Sequence, residues 1–270
     1  AQTLDQASAT VTDMLEGNAF GEAGHRVVIE EFMQGEEASF IVMVDGKNIL
    51  PLASSQDHKA RDEGDRGPNT GGMGAYSPAP VVTDAVHQHI MRDIIQPTVA
   101  GLAAEGMEYT GFLYAGLMID SAGSARVVEY NCRFGDPETQ PLLLRLRSDF
   151  AALIHAALNR GLDQCSVQWD ERASVGVVLA AGGYPAAYQK GAAITGLDTV
   201  DDEVKVFHAG TQLKGSTVVT SGGRVLCVTA LGTTVSEAQQ LCYLNIDRIN
   251  FQDVYFRNDI AHRAIAREAR

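Results

Sequence analysis

The sequence predicts a mixed α/β (α+β) chain in two parts. Three observations predict it. Strand-like and helix-like stretches succeed one another along the first 168 residues. The run Gly111–Asp120, G-F-L-Y-A-G-L-M-I-D, is almost continuously apolar, the pattern of a strand buried on both faces. After a polar boundary near 160–172, three short runs with glycine turns and one helical stretch fill the tail. The 270 residues allow a large core and more than one domain. The expected division is 1–168 and 169–270.

Taken in order, Thr3 with Gln6 reads as a capping box, and Leu4, Ala7, Val11, Met14 and Leu15 mark one helical stripe with Gly17 as its stop. The chain starts at Ala1 without an initiator methionine, directly before this helix. The stripe needs a surface to cover, expected in residues outside this chain. Residues 27–33, V-V-I-E-E-F-M, read as a strand. A second strand runs to about Val44, turns at Asp45-Gly46 and returns into Leu52. Ser54 to Pro80 reads as a long irregular run rich in Gly and Pro, and loops of that length in compact domains are usually functional or disordered. Residues 83–105 read as a helix capped by Thr83 and bent or divided by Pro97. Strands 112–119 and 126–131 form a hairpin through S-A-G-S, and helical turns follow Pro137 around Asp149. In the tail, Val235, Ala238, Leu241, Cys242 and Ile246 share one helical face.

Composition narrows the function classes. Hydrophobic residues make up 45% and charged residues 20%, an ordinary globular balance. A net charge of −13 argues against nucleic-acid binding by the whole surface. No apolar run reaches the roughly 18 residues that span a bilayer, and the first residues lack a signal-peptide pattern. The cysteines Cys132, Cys165, Cys227 and Cys242 form no C-x-x-C or zinc-like spacing, which predicts a reduced, cytoplasmic setting.

Chemistry concentrates in Val127–Gln140, V-V-E-Y-N-C-R-F-G-D-P-E-T-Q. Alternate strand residues share a face, so Glu129, Asn131 and Arg133 point one way and Tyr130, Cys132 and Phe134 the other. A carboxylate and an amide oxygen two residues apart make a hard-oxygen site suited to Mg²⁺, and the arginine adds a fork for phosphate oxygens. By itself, E-x-N-x-R is equally a polar strand face with a surface ion pair. Cys132, turned from that face, reads as core packing. Glu30, Glu31, Phe32 and Glu37 are either a solvated strand end or a purine slot, with backbone on the adenine edge and Glu37 on the ribose hydroxyls. Asp57, His58 and Lys59 precede a glycine-rich run whose backbone N–H groups can converge on an anion, which favours a substrate-phosphate role.

V-V-I-E-E-F-M-Q-G-E-E-A-S-F, S-S-Q-D-H-K, G-P-N-T-G-G-M-G-A-Y-S-P and E-Y-N-C-R-F-G-D-P-E-T-Q, in this order, resemble the phosphoribosylamine–glycine ligase (glycinamide ribonucleotide synthetase) family of ATP-grasp enzymes, and the likeness extends into the tail A-A-G-G-Y-P and G-G-R-V-L-C-V-T-A-L-G. The resemblance implies the C-terminal portion of an ATP-grasp domain, with a residual lid helix at 1–20 and sites within 27–150, followed by a small mixed α/β C-terminal domain. It implies ATP-dependent ligation of glycine to 5-phosphoribosylamine in de novo purine synthesis. In those roles Glu129 and Asn131 hold Mg²⁺ or Mn²⁺, and Arg133 stabilises the transferring phosphoryl group. Glu30, Glu31 and Phe32 form the adenine hinge and Glu37 the ribose contact. Asp57, His58, Lys59, Asn69, Thr70, Gly71, Gly72, Met73 and Gly74 line the glycine and phosphoribosylamine site. Many ATP-grasp relatives carry a second metal carboxylate at the position of Leu117, so no ligand is expected there. The family's N-terminal domain and the first half of its lid are not matched. The chain alone is therefore expected to be inactive or nearly so, unless the remaining portion joins it as a separate chain. The alternatives are another ATP-grasp carboxylate–amine ligase and a non-catalytic nucleotide-binding fragment.

Overall fold

The computed structural model describes residues 1, 3–16 and 25–269, in two units, 1–34 and 35–270. The first unit holds helix α1 (Leu4–Glu16). The Gln6 N–H donates to Thr3 Oγ1 at 3.2 Å, as a cap should. Ala7, Val11 and Met14 are partly covered, whereas Leu4 and Leu15 are exposed. The expected stop at Gly17, and the end of the lid helix with it, lie outside the described residues. Residues 27–33 do not form the expected strand. A strand exists only where a neighbour takes its N–H and C=O groups, and among the described residues no ladder pairs with them.

The second unit begins with β1 (Glu36–Asp45) and β2 (Ile49–Pro51). The turn between them is held by Asp45, whose carboxylate accepts the Lys47, Asn48 and Leu162 N–H groups. The run expected to be irregular contains four short strands, β3 (Gln56–Asp57), β4 (Ala60–Asp62), β5 (Arg66–Asn69) and β6 (Gly74–Ser77). A long helix follows as α2 (Asp84–Ile90) and α3 (Gln96–Ala104), joined by a π-helical turn at Met91–Ile95. Pro97 is the cause. It lacks an N–H, and its ring crowds the carbonyl four residues back, so the preceding turn widens. The hairpin is β7 (Thr110–Ile119) and β8 (Ala125–Asn131). Then come α4 (Thr139–Arg145) and α5 (Phe150–Leu158), the latter capped by Asp149. The tail holds β9 (Ala173–Ala180), β10 (Val204–His208), β11 (Thr211–Lys214), β12 (Thr217–Thr220), β13 (Arg224–Gly232), α6 (Val235–Ile246) and α7 (His262–Glu268). The hairpin β11–β12 has no counterpart in the sequence reading.

Two antiparallel sheets organise these elements. One has the order β2-β1-β7-β8, the other β10-β13-β9-β6-β3. The second sheet therefore takes strands from both sides of the boundary expected at 168. β1 and β7 pair over ten residues, from Glu36 opposite Ile119 to Asp45 opposite Thr110. Phe40, Val42, Val44, Leu113 and Leu117 pack on Val86, Ile90, Ile95 and Val99 of the long helix. The opposite face, Ile41, Met43 and Tyr114, packs on Leu142, Leu153 and Leu162. Burial on both faces explains the unbroken apolar runs of these strands. Val175, Leu179, Val228, Cys242 and Ile246 belong to a separate core built on the second sheet.

All four cysteines are free thiols. Cys227 and Cys242 are buried, and burial pushes the Cys227 thiol up to about 12. Cys132 is exposed rather than packed, because β8 ends at Asn131 and strand alternation ends with it. The contrast between inner and outer leucines is testable in urea. Leu179→Ala, at a fully buried position in β9, should cost about 2–5 kcal/mol, and Leu244→Ala, exposed on α6, less than about 0.5 kcal/mol.

Candidate functional site

β8 carries the motif residues to the edge of the first sheet. Glu129 pairs with Gly116 and Asn131 with Tyr114, and a register shift follows at Gly116/Leu117. Such irregularities re-aim side chains. Gly116 has no side chain to crowd the Glu129 carboxylate. Leu117, where no ligand was expected, is buried in the core under the long helix. Together with the β3–β5 segment, this edge encloses a cavity of about 270 Å³. Its walls are Asp57, Lys59, Asn69, Thr70, Gly71, Tyr114, Glu129, Asn131, Arg133, Asp136 and Glu138.

Lys59 lines the cavity and bridges two acids. Its ammonium lies 3.0 Å from Glu37 Oε2 and 3.5 Å from Glu129 Oε1. Burial disfavours its charge, but Asp57, Glu37 and Glu129 outweigh that and raise its pKa. Deeper in, Ser39 Oγ donates to Glu138 Oε1 at 2.7 Å and lies 2.9 Å from the Tyr114 hydroxyl. Glu138 is 2% exposed, and burial raises its pKa. Burial raises Asp57 as well, helped by the Glu138 charge and opposed by Lys59. Four carboxyl groups and two cationic side chains line the cavity, and because burial favours the neutral form of Asp57 and Glu138, Glu129 and Asp136 are its main anionic groups.

Strand alternation divides the 56–59 segment. Asp57 and Lys59 face the cavity, whereas Gln56 and His58 turn to the other side. His58 is therefore not a cavity residue. It is 3% exposed, and its Nε2 accepts the Ala261 N–H at 2.8 Å. Nδ1 accordingly carries the proton and donates to Asp65 Oδ1 at 3.2 Å. Burial lowers the pKa of His58. Asp65 also accepts from Arg257 at 3.0 Å and Arg263 at 2.7 Å. Burial would raise Asp65, but the His58 hydrogen bond and both guanidiniums hold its carboxyl well below the usual range. His58, Asp65 and His262 are close enough to share a metal ion. The two guanidiniums on Asp65 and the N–H on His58 make that cluster unsuited to a cation.

The 69–74 segment also divides. Asn69, Thr70 and Gly71 reach the cavity, whereas Gly72, Met73 and Gly74 are buried away from it. The amides expected to cradle an anion are engaged within the protein. Thr70 N–H donates to Lys59 O, Gly71 N–H to Tyr184 Oη, Gly72 N–H to Thr70 Oγ1 and Met73 N–H to His58 O. The glycines serve close approach instead. A Cβ on Gly71 would lie 2.9 Å from the Arg224 guanidinium, and one on Gly72, at φ +110°, 2.4 Å from Pro137.

Glu30, Glu31 and Phe32 lie in the first unit, with Phe32 69% exposed. Glu37 lies on β1 in the second, joined to Lys59. Tyr114, Asp136, Glu138 and Arg224 escaped the sequence reading. Asp136 and Glu138 stand inside the motif stretch, and two acids flanking its proline and threonine were the available signal. Nothing local marks Tyr114 or Arg224.

The donor set of Glu129 and Asn131 fits a hard divalent cation. Glu129 is half exposed with Lys59 as a long-range partner, and the Asn131 amide makes no hydrogen bond among the described residues. Both oxygens are thus available to a hard cation.

Comparison with known proteins places this architecture in a class and then a family. The biotin carboxylase domain of Hydrogenobacter thermophilus 2-oxoglutarate carboxylase superposes with a TM-score of 0.66 at 12% identity, covering 93% of this chain and 54% of that one, a likeness of fold alone. Residues 1–139 match the phosphoribosylglycinamide synthetase ATP-grasp (A) domain, and residues 174–263 match the phosphoribosylglycinamide synthetase C domain. The fold is thus that of an ATP-grasp protein. The chain belongs to the phosphoribosylglycinamide synthetase family, the one its four ordered motifs resemble. It is 64% identical over 269 residues to phosphoribosylamine–glycine ligase of Vibrio vulnificus (strain YJ016), covering 99% of this chain and 63% of that protein. The crystal structure of phosphoribosylamine–glycine ligase from Thermotoga maritima gives a TM-score of 0.82 at 35% identity, over 94% of this chain and 63% of that one. The chain therefore spans under two thirds of the length of these relatives.

Asp57 and Asp65 carry opposite pH signatures. A carboxyl raised on folding stabilises at low pH, and that contribution is lost as pH rises from about 3.9 through the folded value. Wild type should thus lose stability relative to Asp57→Asn between pH 4 and 8, by about 1 kcal/mol or more. A depressed carboxyl stabilises above about 3.9 and loses this as pH falls. Asp65→Asn should cost about 3 kcal/mol at pH 7, a gap that narrows on acidification. Urea midpoints across the pH range check both signs.

Proposed function

We propose that this chain forms the metal- and substrate-binding part of a phosphoribosylamine–glycine ligase. The reaction joins glycine to 5-phosphoribosylamine at the expense of ATP, giving glycinamide ribonucleotide, ADP and phosphate. One observation carries this reading: Glu129, Asn131, Arg133 and Lys59 line a single small cavity, in a chain of this family. The first step forms a bond between a glycine carboxylate oxygen and the γ-phosphorus and breaks the bond to ADP, giving glycyl phosphate. The second step forms a bond between the phosphoribosylamine nitrogen and the acyl carbon and releases phosphate.

Catalysis of this kind is mostly positioning and charge stabilisation. Arg133, exposed at the cavity edge, offers its guanidinium to the transferring phosphoryl oxygens. Lys59 keeps its charge through its acidic partners and orients Glu129. Mg²⁺ or Mn²⁺, held by Glu129 and Asn131, would neutralise the charge of the ATP phosphates. Asp57, raised by burial in the same cavity, is suited to take the proton that the attacking amine loses. Asn69, Thr70 and Gly71 line the same cavity and supply the glycine and phosphoribosylamine side. Glu30, Glu31 and Phe32 remain the adenine hinge in this reading, and Glu37 the ribose contact. His58 supports the site from behind. Four free thiols accord with a reduced, cytoplasmic setting.

A second reading is nucleotide and metal binding without turnover by this chain alone. It draws on the same cavity, where Glu129 and Asn131 are placed to bind a metal and Arg133 to contact phosphate oxygens whether or not turnover follows. Two measurements separate the readings. Glycine-dependent ADP formation, with product mass matching glycinamide ribonucleotide, would establish ligation by the chain itself. Titration calorimetry with ATP·Mg²⁺ giving saturable binding, but no ADP, would favour binding alone. In either case Glu129→Ala should weaken ATP·Mg²⁺ binding by about 10-fold or more, with the circular dichroism spectrum unchanged. Equal affinity in that variant would remove Glu129 from the metal site.

A further inference from the structure

Arg224 stands at the start of β13, far in sequence from both loops that it touches. Its Nη1 donates to Gly71 O at 2.5 Å and to Asp136 O at 2.9 Å, and its Nη2 donates to Asp136 Oδ2 at 2.9 Å. Gly71 and Asp136 belong to two neighbouring segments that line the cavity, the 69–71 wall and the 133–138 wall. One planar guanidinium thus ties the walls together through three acceptors. Tyr184 further anchors the Gly71 side alone, by accepting the Gly71 N–H at 2.9 Å. The Arg224 side chain is only 21% exposed, and Gly71 leaves no room for a Cβ beside its guanidinium.

Asp136 is the telling partner. It is a carboxylate in the same cavity as Glu129 and Asn131, and a free carboxylate there would compete for any divalent cation. We propose that Arg224 is a positioning residue. It fixes the spacing of the two cavity walls and holds the Asp136 carboxylate away from the cation, so that Glu129 and Asn131 alone define the metal position. This rests on the metal reading given above. A lysine cannot replace the arginine fully, because its single ammonium does not span three acceptors with a planar fork.

The test uses the full chain, Mn²⁺ as probe and titration by electron paramagnetic resonance. Arg224→Met should free Asp136 and tighten Mn²⁺ binding about 5- to 10-fold, and the double variant Arg224→Met/Asp136→Asn should return to within about 2-fold of wild type. Arg224→Lys should stay within about 2-fold in Mn²⁺ affinity, yet its Gly71 amide should exchange with deuterium several-fold faster while the β9–β13 ladder exchanges as in wild type. Unchanged affinity in Arg224→Met, or tightening that persists in the double variant, would overturn the role assigned to Asp136. Unchanged Gly71 exchange in Arg224→Lys would overturn the wall clamp, and this readout stands if Arg224→Met fails to fold. Mn²⁺ binding that survives Glu129→Ala would sink the metal reading instead, leaving the clamp to be decided by exchange.

Discussion

The ten-residue ladder between β1 and β7 is the constraint on which the site depends. Glu37, Ser39, Ile41 and Met43 alternate on one face of β1, and Tyr114 meets them from β7. β8 then adds Glu129 and Asn131 to that face, opposite Gly116 and Tyr114. The lysine partner, the buried hydroxyl pair and the cation ligands all stand on one side of one sheet. Slipping the register by a single residue would present Ala38 and Phe40 to the cavity and send Ser39 under the long helix. Both faces of β1 are packed against large apolar groups, and that is what forbids the slip.

The motif stretch was legible because its information is local. Period-two alternation on β8 predicts which residues share a face, and carboxylate, amide and guanidinium declare their own chemistry. The 54–80 segment was not legible in the same way. Strands of two to four residues are too short to show a period, and β6 finds its partner β9 about a hundred residues further on. The glycines at 71 and 72 illustrate a second limit. A sequence shows that glycine is tolerated, not whether it frees an amide for an anion or clears space for Arg224 and Pro137. His58 was read with its neighbours as one trio, although alternation already separates it from Asp57 and Lys59. Residues 27–33 have strand composition, but composition does not supply the pairing partner that a strand requires.

Two charge arrangements lie back to back across the 57–65 segment, and they obey opposite rules. In front, burial raises Asp57 and Glu138 towards their neutral forms and leaves Glu129 and Asn131 to face a ligand. Behind, Asp65 and Asp259 meet Arg257 and Arg263, and each charge finds its partner inside the protein. Arg257 is fully buried and gives its N–H groups to Asp259, Asp65 and the Ala60 carbonyl. The rear cluster is satisfied within the protein, and the short segment from Asp57 to Asp65 joins it to the cavity.

The sharing of β3 and β6 with the tail sheet bears on how this architecture tolerates dissection. β9 is an inner strand only because β6, from the other end of the chain, covers its flank. A tail fragment cut at the sequence boundary would bare that flank over Ser174–Val177, in a strand of Ala, Ser, Val, Gly and Leu without a charged or proline gatekeeper. Such an edge recruits other strands, including copies of itself. The residues matched to the C domain thus share their sheet with β3 and β6 of the first part. Gene fusions or splits within this family are expected to succeed only where the 56–77 strands travel with their distant partner.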